Sequence, residues 1–344
     1  MTSPPGGIVA TDLTRSFGPV HAVSGMTLSA PRGAVTALVG PNGSGKTTLM
    51  LMLAGLLAPD AGSISINGVN LANDPRAARR ELGWMPDTLG VWETLTTSEI
   101  LNSVARLYGV DRSAAQTRTQ ELLELVGLQE FAQRPARVLS RGQQQRLSLA
   151  RALVHDPSVL ILDEPASGLD PDSRLRLRSL LRGFAQEGRT VLVSSHDLGE
   201  LDEFSDHVVI VRDGKTVREQ SLTEADASDR TWSLRALDPA ALRSALTSLG
   251  MTYGVDPDTR REALTVSLNS DAAAAALLRS LIEADVPIVT FAPASGALEE
   301  TYLRAVGPHR SKGTYRTKGG HPPVGHGPDA TDAPNPATTT EEQR

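Results

Sequence analysis

The feature that most constrains the fold of this chain is a glycine-rich turn between an apolar run and an amphipathic segment. The turn reads Gly-Pro-Asn-Gly-Ser-Gly-Lys-Thr over residues 40–47 and follows the apolar run Val35–Val39. Glycines allow successive backbone N–H groups to turn inward on phosphate oxygens, and a helix that begins there adds partial positive charge. The spacing therefore predicts a phosphate-binding loop (P-loop) between a buried strand and a helix over residues 46–57.

Lys46 has a specific place in this loop. It is the one lysine among the first 214 residues, in a chain where four of the 34 basic residues are lysines. We expect its ammonium group to bridge terminal phosphates and the hydroxyl of Thr47 to bind Mg²⁺. The loop residues expected to contact the ligand are Gly40, Pro41, Asn42, Gly43, Ser44, Gly45, Lys46, Thr47 and Thr48.

The first two thirds of the chain has the pattern of an α/β fold. Apolar runs of strand length, at 35–39, 159–162 and 190–193, alternate with amphipathic helices, which is typical of a buried parallel sheet. Residues 7–28 alternate without a helix and predict a small antiparallel element beside that sheet. A purely helical stretch begins at the capping box Thr96-Thr97-Ser98-Glu99. We therefore predict one domain over residues 7–222, with a helical subdomain over about 88–150.

The pattern changes after residue 225. Strands at 231–236, 263–268 and 286–291, helices at 239–249 and 271–283, and a hairpin near 256–258 predict a small ferredoxin-like α+β domain over residues 225–306. Residues 298–305 predict one more short helix. Residues 307–344 contain six glycines, six prolines and almost no large apolar side chains, so we expect them to be disordered.

Composition excludes several classes of protein. The net charge of −6 argues against nucleic-acid binding as a main role. The absence of cysteine excludes disulfide scaffolds, cysteine nucleophiles and thiolate zinc sites. No apolar run approaches the roughly 20 residues needed to span a bilayer, and the first residues lack the pattern of a secretory signal. We therefore expect a cytoplasmic protein.

Two carboxylates follow the apolar run Val159–Leu162. Adjacent residues of a strand face opposite ways, so Asp163 and Glu164 are expected to divide the chemistry between them. We predict that Asp163 holds Mg²⁺ and that Glu164 polarises an attacking water as general base.

A third pattern, Leu-Ser-Arg-Gly-Gln over residues 139–143, precedes an amphipathic helix that ends near Pro157. Ser140 and Gln143 have the spacing of a capping box. The same open helix start, with Gly142 clearing the approach, is suited to receive a phosphate from outside. Both uses are compatible with one structure.

These three motifs together resemble the nucleotide-binding subunit of an ATP-binding cassette (ABC) transporter, and the resemblance covers about residues 7–220. It implies that ATP and Mg²⁺ bind and that ATP is hydrolysed. It also implies roles for other residues: Phe17 stacks on adenine, and His196 is the switch histidine at the γ-phosphate. Ser140, Gly142 and Gln143 are the signature contacts, and Asp170 belongs to the D-loop, residues 167–170.

The chain departs from the family pattern at two positions. Arg141 replaces the first glycine of the usual Ser-Gly-Gly-Gln signature, and we expect its side chain to face solvent. Asp87 stands where the family has a glutamine. We favour a contact of Asp87 with Mg²⁺, direct or through one water, over a place at the interface with a membrane subunit.

The resemblance also implies an assembly. Two cassettes meet head to tail, each ATP lies between the P-loop of one chain and the signature of the other, and a homodimer works through a separate transmembrane permease on the inner face of the membrane. The Met-Pro-Asp segment at 85–87 and the small C-terminal domain resemble bacterial exporters, often of drugs or antibiotics. Three alternatives stay open: a soluble ABC ATPase of translation or DNA repair, an ATP-sensing module without turnover, and an importer subunit. The transported substrate is not indicated.

Overall fold

The computed structural model describes residues 6–87, 90, 92–222, 230–255, 263–294, 298, 301, 302 and 305. All of them belong to one compact unit. The predicted disordered tail (307–344) and the predicted hairpin near 256–258 lie outside the described residues. None of the helices in the described ranges is long and apolar enough to cross a bilayer.

Fourteen strands are assigned in the described ranges. They are β1 (Gly7–Phe17), β2 (Val20–Pro31), β3 (Val35–Val39), β4 (Ala61–Ile66), β5 (Val69–Asn70), β6 (Leu82–Met85), β7 (Val159–Leu162), β8 (Thr190–Ser194), β9 (His207–Arg212), β10 (Lys215–Ser221), β11 (Arg230–Ala236), β12 (Tyr253–Val255), β13 (Leu264–Leu268) and β14 (Ile288–Pro293).

Nine α-helices and two short 3₁₀ helices, Gln129–Phe131 and Ala136–Val138, accompany the strands in the same ranges. The α-helices are α1 (Lys46–Leu53), α2 (Pro75–Arg80), α3 (Thr97–Leu107), α4 (Arg112–Leu125), α5 (Arg141–Ala152), α6 (Pro171–Gln186), α7 (Leu198–Asp202), α8 (Pro239–Ser248) and α9 (Asp271–Glu283).

The central sheet has the strand order β10-β9-β3-β8-β7-β6. Its pairs are parallel except for the antiparallel edge pair β9/β10. On one face of β3, Leu38 belongs to an apolar cluster with α1 and the antiparallel strands β1, β2 and β4. On the other face, Ala37 and Val39 belong to a cluster with α5 and α6. Both faces are covered, which explains why the strands read as continuous apolar runs. The predicted α/β architecture is confirmed.

The predicted antiparallel element is also confirmed. A four-stranded sheet of order β2-β1-β4-β5 pairs antiparallel throughout and packs over α1. Helix α1 ends at Leu53, four residues before the predicted end. The reason is Gly55, whose φ of 69° allows the N–H groups of Leu56 and Leu57 to bond back to Leu51 O and close the helix.

The helical stretch follows the predicted local signals. Thr96 caps α3 in a complete capping box with Glu99, and Gly127, with φ of 64°, follows the end of α4. Part of the stretch is not helical, because Thr96 forms a bridge with Pro135. This bridge joins the start of the helical stretch to the segment before α5.

The last described segment forms an antiparallel sheet of order β12-β13-β11-β14 with its own apolar cluster under α8 and α9. Strand β14 starts at Ile288, two residues after the predicted start, because the N–H of Val286 still closes α9 on Leu281 O. Leu298 returns to the first part of the chain, where its N–H donates to Asp202 Oδ1 at 2.6 Å. The division into separate domains at 222–225 stays a prediction.

Candidate functional site

The P-loop joins β3 to α1, and its glycines are needed for close backbone approach. A Cβ on Gly40 would lie 2.2 Å from Val211 O, and one on Gly45 would lie 2.3 Å from Ala22 O. Gly43 and Gly45 have φ of 80° and 95°, a region that favours glycine. The predicted loop therefore occurs between the predicted strand and helix, and α1 begins at Lys46.

Lys46 folds back over its own loop. Its Nζ donates to Gly40 O at 2.7 Å and to Pro41 O at 3.2 Å. Burial lowers the pKa of this ammonium, and the negative charges of Glu164 and Asp163 oppose that effect. The ammonium is thus hydrogen-bonded to the loop carbonyls and is close enough to the two predicted carboxylates to interact with their charges.

Asp163 follows the end of β7 and is 3% exposed. Its backbone N–H donates to Met85 O at 2.8 Å, and its Oδ1 accepts from Ser194 Oγ at 2.6 Å. Burial raises the pKa of this carboxyl, the bond from Ser194 lowers it, the charge of Asp87 raises it, and a hydrogen bond with Thr47 lowers it. These contacts bring Asp163, Thr47 and Asp87 into one neighbourhood.

The oxygen donors of this neighbourhood suit Mg²⁺, a hard cation that prefers carboxylate and hydroxyl ligands and retains several waters. Thr47 is close enough to lower the pKa of the Asp163 carboxyl, so one ion could contact both. Among the described residues no group of three or more His, Asp or Glu side chains is arranged to hold a metal. An ion here would therefore depend on further oxygen ligands from phosphate and water.

Glu164 has an unusual backbone. Strand β7 ends at Leu162, and Glu164 has a left-handed φ of 51°. We predicted that the alternation of side chains along a strand separates the two carboxylates, and this reason is wrong. They are separated by a turn that follows the strand. A left-handed non-glycine residue costs roughly 1–2 kcal/mol, so neighbouring bonds must hold it.

Three groups hold Glu164 in place. Its N–H donates to Ser194 Oγ at 3.0 Å, and its carbonyl accepts from Gln145 Nε2 at 2.9 Å. Its carboxylate lies 2.8 Å from His196 Nδ1, which requires the proton of the imidazole to be on Nδ1. The structure thus brings together the predicted base and the predicted switch histidine.

Ser194 and Gln145 are functional residues that our sequence reasoning missed. Ser194 is fully buried and serves both carboxylates: it donates to Asp163 Oδ1 and accepts from the N–H of Glu164. A signal existed, since Ser194 ends the strand parallel to β7 and a hydroxyl there adjoins the end of β7. Gln145 gave no such signal, because its partner is a backbone carbonyl 19 residues away.

The signature segment, residues 139–143, begins α5. Ser140 accepts from the N–H of Gln143 and the Gln143 side chain accepts from the N–H of Ser140, so the predicted capping box is complete. Gly142 lies near the D-loop, since a Cβ on it would be 3.4 Å from Gly168 O. The helix start is therefore stabilised by hydrogen bonds within its own chain.

Arg141 is exposed, as expected, and its side chain also contacts the D-loop. Its Nη2 donates to Ser167 Oγ at 3.2 Å, and its side chain lies against Gly168, where a Cβ would be 3.0 Å from Arg141 Cδ. Gly168 has φ of 75° and leaves this space open. The arginine thus ties the signature segment to the D-loop of the same chain.

Asp170 caps α6 in this structure. Its two carboxylate oxygens accept from the N–H and the hydroxyl of Ser173 at 2.9 and 2.7 Å. These hydrogen bonds lower the pKa of Asp170. Each oxygen of the carboxylate is therefore hydrogen-bonded to the first turn of α6.

Two further predicted residues lie at the surface. Phe17 ends β1 with 48% of its surface exposed, and the Arg15 guanidinium is 5.0 Å from its ring centroid. Asp87 is exposed, and it is close enough for its charge to raise the pKa of Asp163. Both are open to a ligand from outside.

The comparisons with known proteins agree with this geometry. The family model described as "ABC transporter" matches residues 23–167. The daunorubicin/doxorubicin resistance ATP-binding protein of Streptomyces peucetius is 30% identical over 310 residues, which are 89% of this chain and 94% of that protein. The chain belongs to the ABC transporter ATP-binding subunits. This family hydrolyses ATP to power transport.

Two other relatives are also named as ATP-binding proteins of export or transport. The Nod factor export ATP-binding protein I of Burkholderia orbicola is 34% identical over 72% of this chain and 83% of that protein. The bacitracin transport ATP-binding protein of Bacillus licheniformis is 38% identical over 62% of this chain and 69% of that protein.

Solved ABC cassettes share the fold. An ATP-binding subunit of an ABC transporter has a TM-score of 0.59 and 30% identity, covering 63% of this chain and 91% of that one. A dimeric cassette in a post-hydrolysis state, bound to ADP and Pi, has a TM-score of 0.58 and 25% identity, covering 62% and 98%.

Proposed function

We propose that this ABC subunit drives export through a separate membrane permease and that two copies close head to tail around two molecules of Mg-ATP. The names of its relatives, which include export and resistance subunits, support the direction of transport. The dimeric cassette with ADP and Pi supports the assembly. The permease would hold the chain at the inner face of the membrane.

One observation carries the proposal. A single chain brings together the P-loop, Asp163, Glu164 and His196, whereas no hydrogen bond of the described residues joins the signature segment to residues 40–48. The signature helix start is complete and presents its open N–H groups to a ligand from outside. A second copy would supply the missing half of each site.

The chemistry follows from the positions of these groups. Lys46 would exchange the carbonyls of Gly40 and Pro41 for β- and γ-phosphate oxygens. Phe17 would stack on the adenine. Ser140, Gly142 and Gln143 of the opposite chain would approach the γ-phosphate, with Asp170 shaping the neighbouring D-loop. These contacts would orient the γ-phosphate so that the attacking water and the leaving oxygen are in line, and no covalent intermediate is needed.

Glu164 would take the proton of the attacking water, because its carboxylate is held at the end of β7 by a fixed turn. His196 is hydrogen-bonded to that carboxylate and would contact the γ-phosphate through its other nitrogen. Thr47 and Asp163 would hold Mg²⁺, which neutralises charge on the phosphates. We propose that Asp87 contacts the same ion, directly or through water, since its charge already reaches Asp163.

The test uses Glu164→Gln, which retains shape and hydrogen bonding but loses the base. With Mg-ATP, light scattering should show a persistent dimer at twice the monomer mass, and turnover should fall by at least 100-fold. Glu130→Gln, the same change at an exposed helix residue, is the matched control and should behave as wild type. A Glu164→Gln variant that binds ATP yet stays monomeric would contradict the self-sufficient homodimer. A wild type that binds ATP without turnover would favour the ATP-sensing alternative.

A further inference from the structure

We propose that a cavity between α4, α5 and α6 is a binding site for an amphipathic organic anion and that its occupant changes ATP turnover. The cavity has a volume of about 470 Å³, which lies in the range of pockets that hold drug-sized molecules. Its walls come from the end of α4, from α5, from the segment after Glu164 and from α6. No residue of the P-loop lines it.

The apolar part of the cavity would hold the body of the ligand. Leu149 and Leu177 form buried wall, at 3% and 8% exposure. Leu125 and Leu175 also line the cavity and are 46% and 56% exposed. Covering these two exposed side chains with an apolar group removes their surface from water, which favours binding.

The charges of the lining indicate an anionic group. Arg146 and Arg176 line the cavity together with one acid, Glu124, and the charge of Arg146 also reaches Asp170 outside the lining. Arg176 is exposed and forms no ion pair with any residue in the described ranges. The Nε of Arg146 is buried without an acceptor there, while its Nη1 donates to Val126 O at 2.9 Å. Arginine recognises carboxylate and sulfonate-like groups through such open donors.

Two lining residues connect the cavity with the hydrolytic site. Gln145 donates to the carbonyl of Glu164 at 2.9 Å, and Pro165 follows Glu164 in the chain. Glu164 is held in a left-handed conformation by such bonds. A ligand that shifts Gln145 or Pro165 would move the carboxylate, and small displacements of a catalytic group change the rate strongly.

Binding is tested with two fluorescent probes of the same shape on the full-length protein. 8-Anilinonaphthalene-1-sulfonate carries an anion, and N-phenyl-1-naphthylamine is its neutral counterpart. Leu175→Glu places a repelling charge at the mouth of the cavity, and Leu107→Glu, at an 80% exposed leucine outside it, is the matched control. Arg176→Gln removes the open cation, with Arg106→Gln as its control.

We expect one saturable site for the sulfonate in wild type, weakened at least ten-fold by Leu175→Glu and about three-fold by Arg176→Gln. The two controls should bind as wild type does. Equal binding in Leu175→Glu and Leu107→Glu would overturn the site. Equal affinity for the neutral probe in wild type would overturn the anionic class of ligand.

The coupling is tested by ATP turnover during the same titration. Turnover of wild type and of Leu107→Glu should change at least two-fold, and the midpoint of this change should coincide with the midpoint of the binding curve. Turnover of Leu175→Glu should not respond to the probe. Binding without any change in turnover would overturn the coupling to Glu164. Because the binding assay needs no hydrolysis, a failure of the proposed ATPase cycle would not be mistaken for a failure of the cavity.

Discussion

Ser194→Ala is the perturbation that most directly probes how the hydrolytic site is held together. The hydroxyl of Ser194 donates to Asp163 Oδ1 at 2.6 Å and accepts from the N–H of Glu164 at 3.0 Å. Alanine removes both bonds and leaves a carboxylate that is 3% exposed with one donor fewer. The pKa of Asp163, already raised by burial, should rise further.

The size of the effect follows from these two bonds. A hydrogen bond to a charged group contributes about 1.5–3 kcal/mol and a neutral one about 0.5–1.5 kcal/mol. We therefore expect the free energy of unfolding to fall by about 2–4.5 kcal/mol. Without its acceptor, the turn at Glu164 loses part of its support, and a displacement of its carboxylate by about 1 Å corresponds to a roughly 100-fold loss of kcat.

The assay combines denaturant unfolding with steady-state ATPase kinetics. The matched control is Ser195→Ala, since Ser195 is 5% exposed and accepts only from the N–H of Asp197 among the described hydrogen bonds. The control should retain kcat within about three-fold, whereas Ser194→Ala should lose about 100-fold with ATP affinity nearly unchanged. A Ser194→Ala enzyme with kcat within two-fold of the control would show that Ser194 does not hold the hydrolytic site in place.

Three further predictions concern other parts of the molecule. Lys46→Ala should weaken ATP binding and reduce turnover by at least about 100-fold; unchanged turnover would contradict the P-loop assignment. Asp87→Ala should raise the Mg²⁺ concentration for half-maximal ATPase activity and leave metal-free nucleotide binding nearly intact; coincident Mg²⁺ curves with lost transport would place Asp87 at the permease interface. His155 stacks on Tyr108 with ring centroids 3.7 Å apart, donates to Leu82 O, and has a pKa that is lowered by burial. Because the folded state then binds fewer protons than the unfolded state, the free energy of unfolding should fall as the pH drops below about 6.5, with a slope of at most ~1.4 kcal/mol per pH unit. Denaturation curves at pH 7.5 and 5.5 should show this dependence in wild type and its loss in His155→Gln.

Much of the fold could be predicted because local signals and burial agree. Val35–Val39 and Val159–Leu162 are strands over their full predicted lengths, since both faces of the central sheet are covered and the runs are apolar throughout. Helix α9, Asp271–Glu283, also has its predicted bounds, with Ser270 as its cap. Two boundaries differ from the prediction: the end of α1, at Leu53, and the start of β14, which was predicted at Val286. Both depend on hydrogen bonds that close a helix just beyond its last residue.

The candidate site was predictable where chemistry requires a residue type at a fixed spacing. The glycines around Lys46 are such a case, because backbone approach to Val211 and Ala22 leaves no room for a Cβ. The position of Ser194 at the end of β8 offered a signal for its contact with Glu164, whereas the contact of Gln145 was not predictable, since its partner is a backbone carbonyl 19 residues away. Arg141 likewise meets the D-loop only once α5 and the turn at Gly168 are folded together.

If each ATP site is completed by a second copy of this chain, two variants that are defective in different halves of the site should restore turnover when they are mixed. Lys46→Ala disables the P-loop and retains the signature. Gly142→Asp adds a negative charge at the signature and should fold, because a Cβ there has ordinary contacts at 3.4 and 3.5 Å and an acid suits a helix start. Each variant alone should be nearly inactive.

In an equal mixture, random pairing gives one complete site in half of the dimers, between the P-loop of one variant and the signature of the other. Turnover should therefore return to about a quarter of the wild-type rate if the sites act independently. Turnover that stays at the sum of the two separate variants, while light scattering shows that mixed dimers form, would contradict the completion of each site by a second copy.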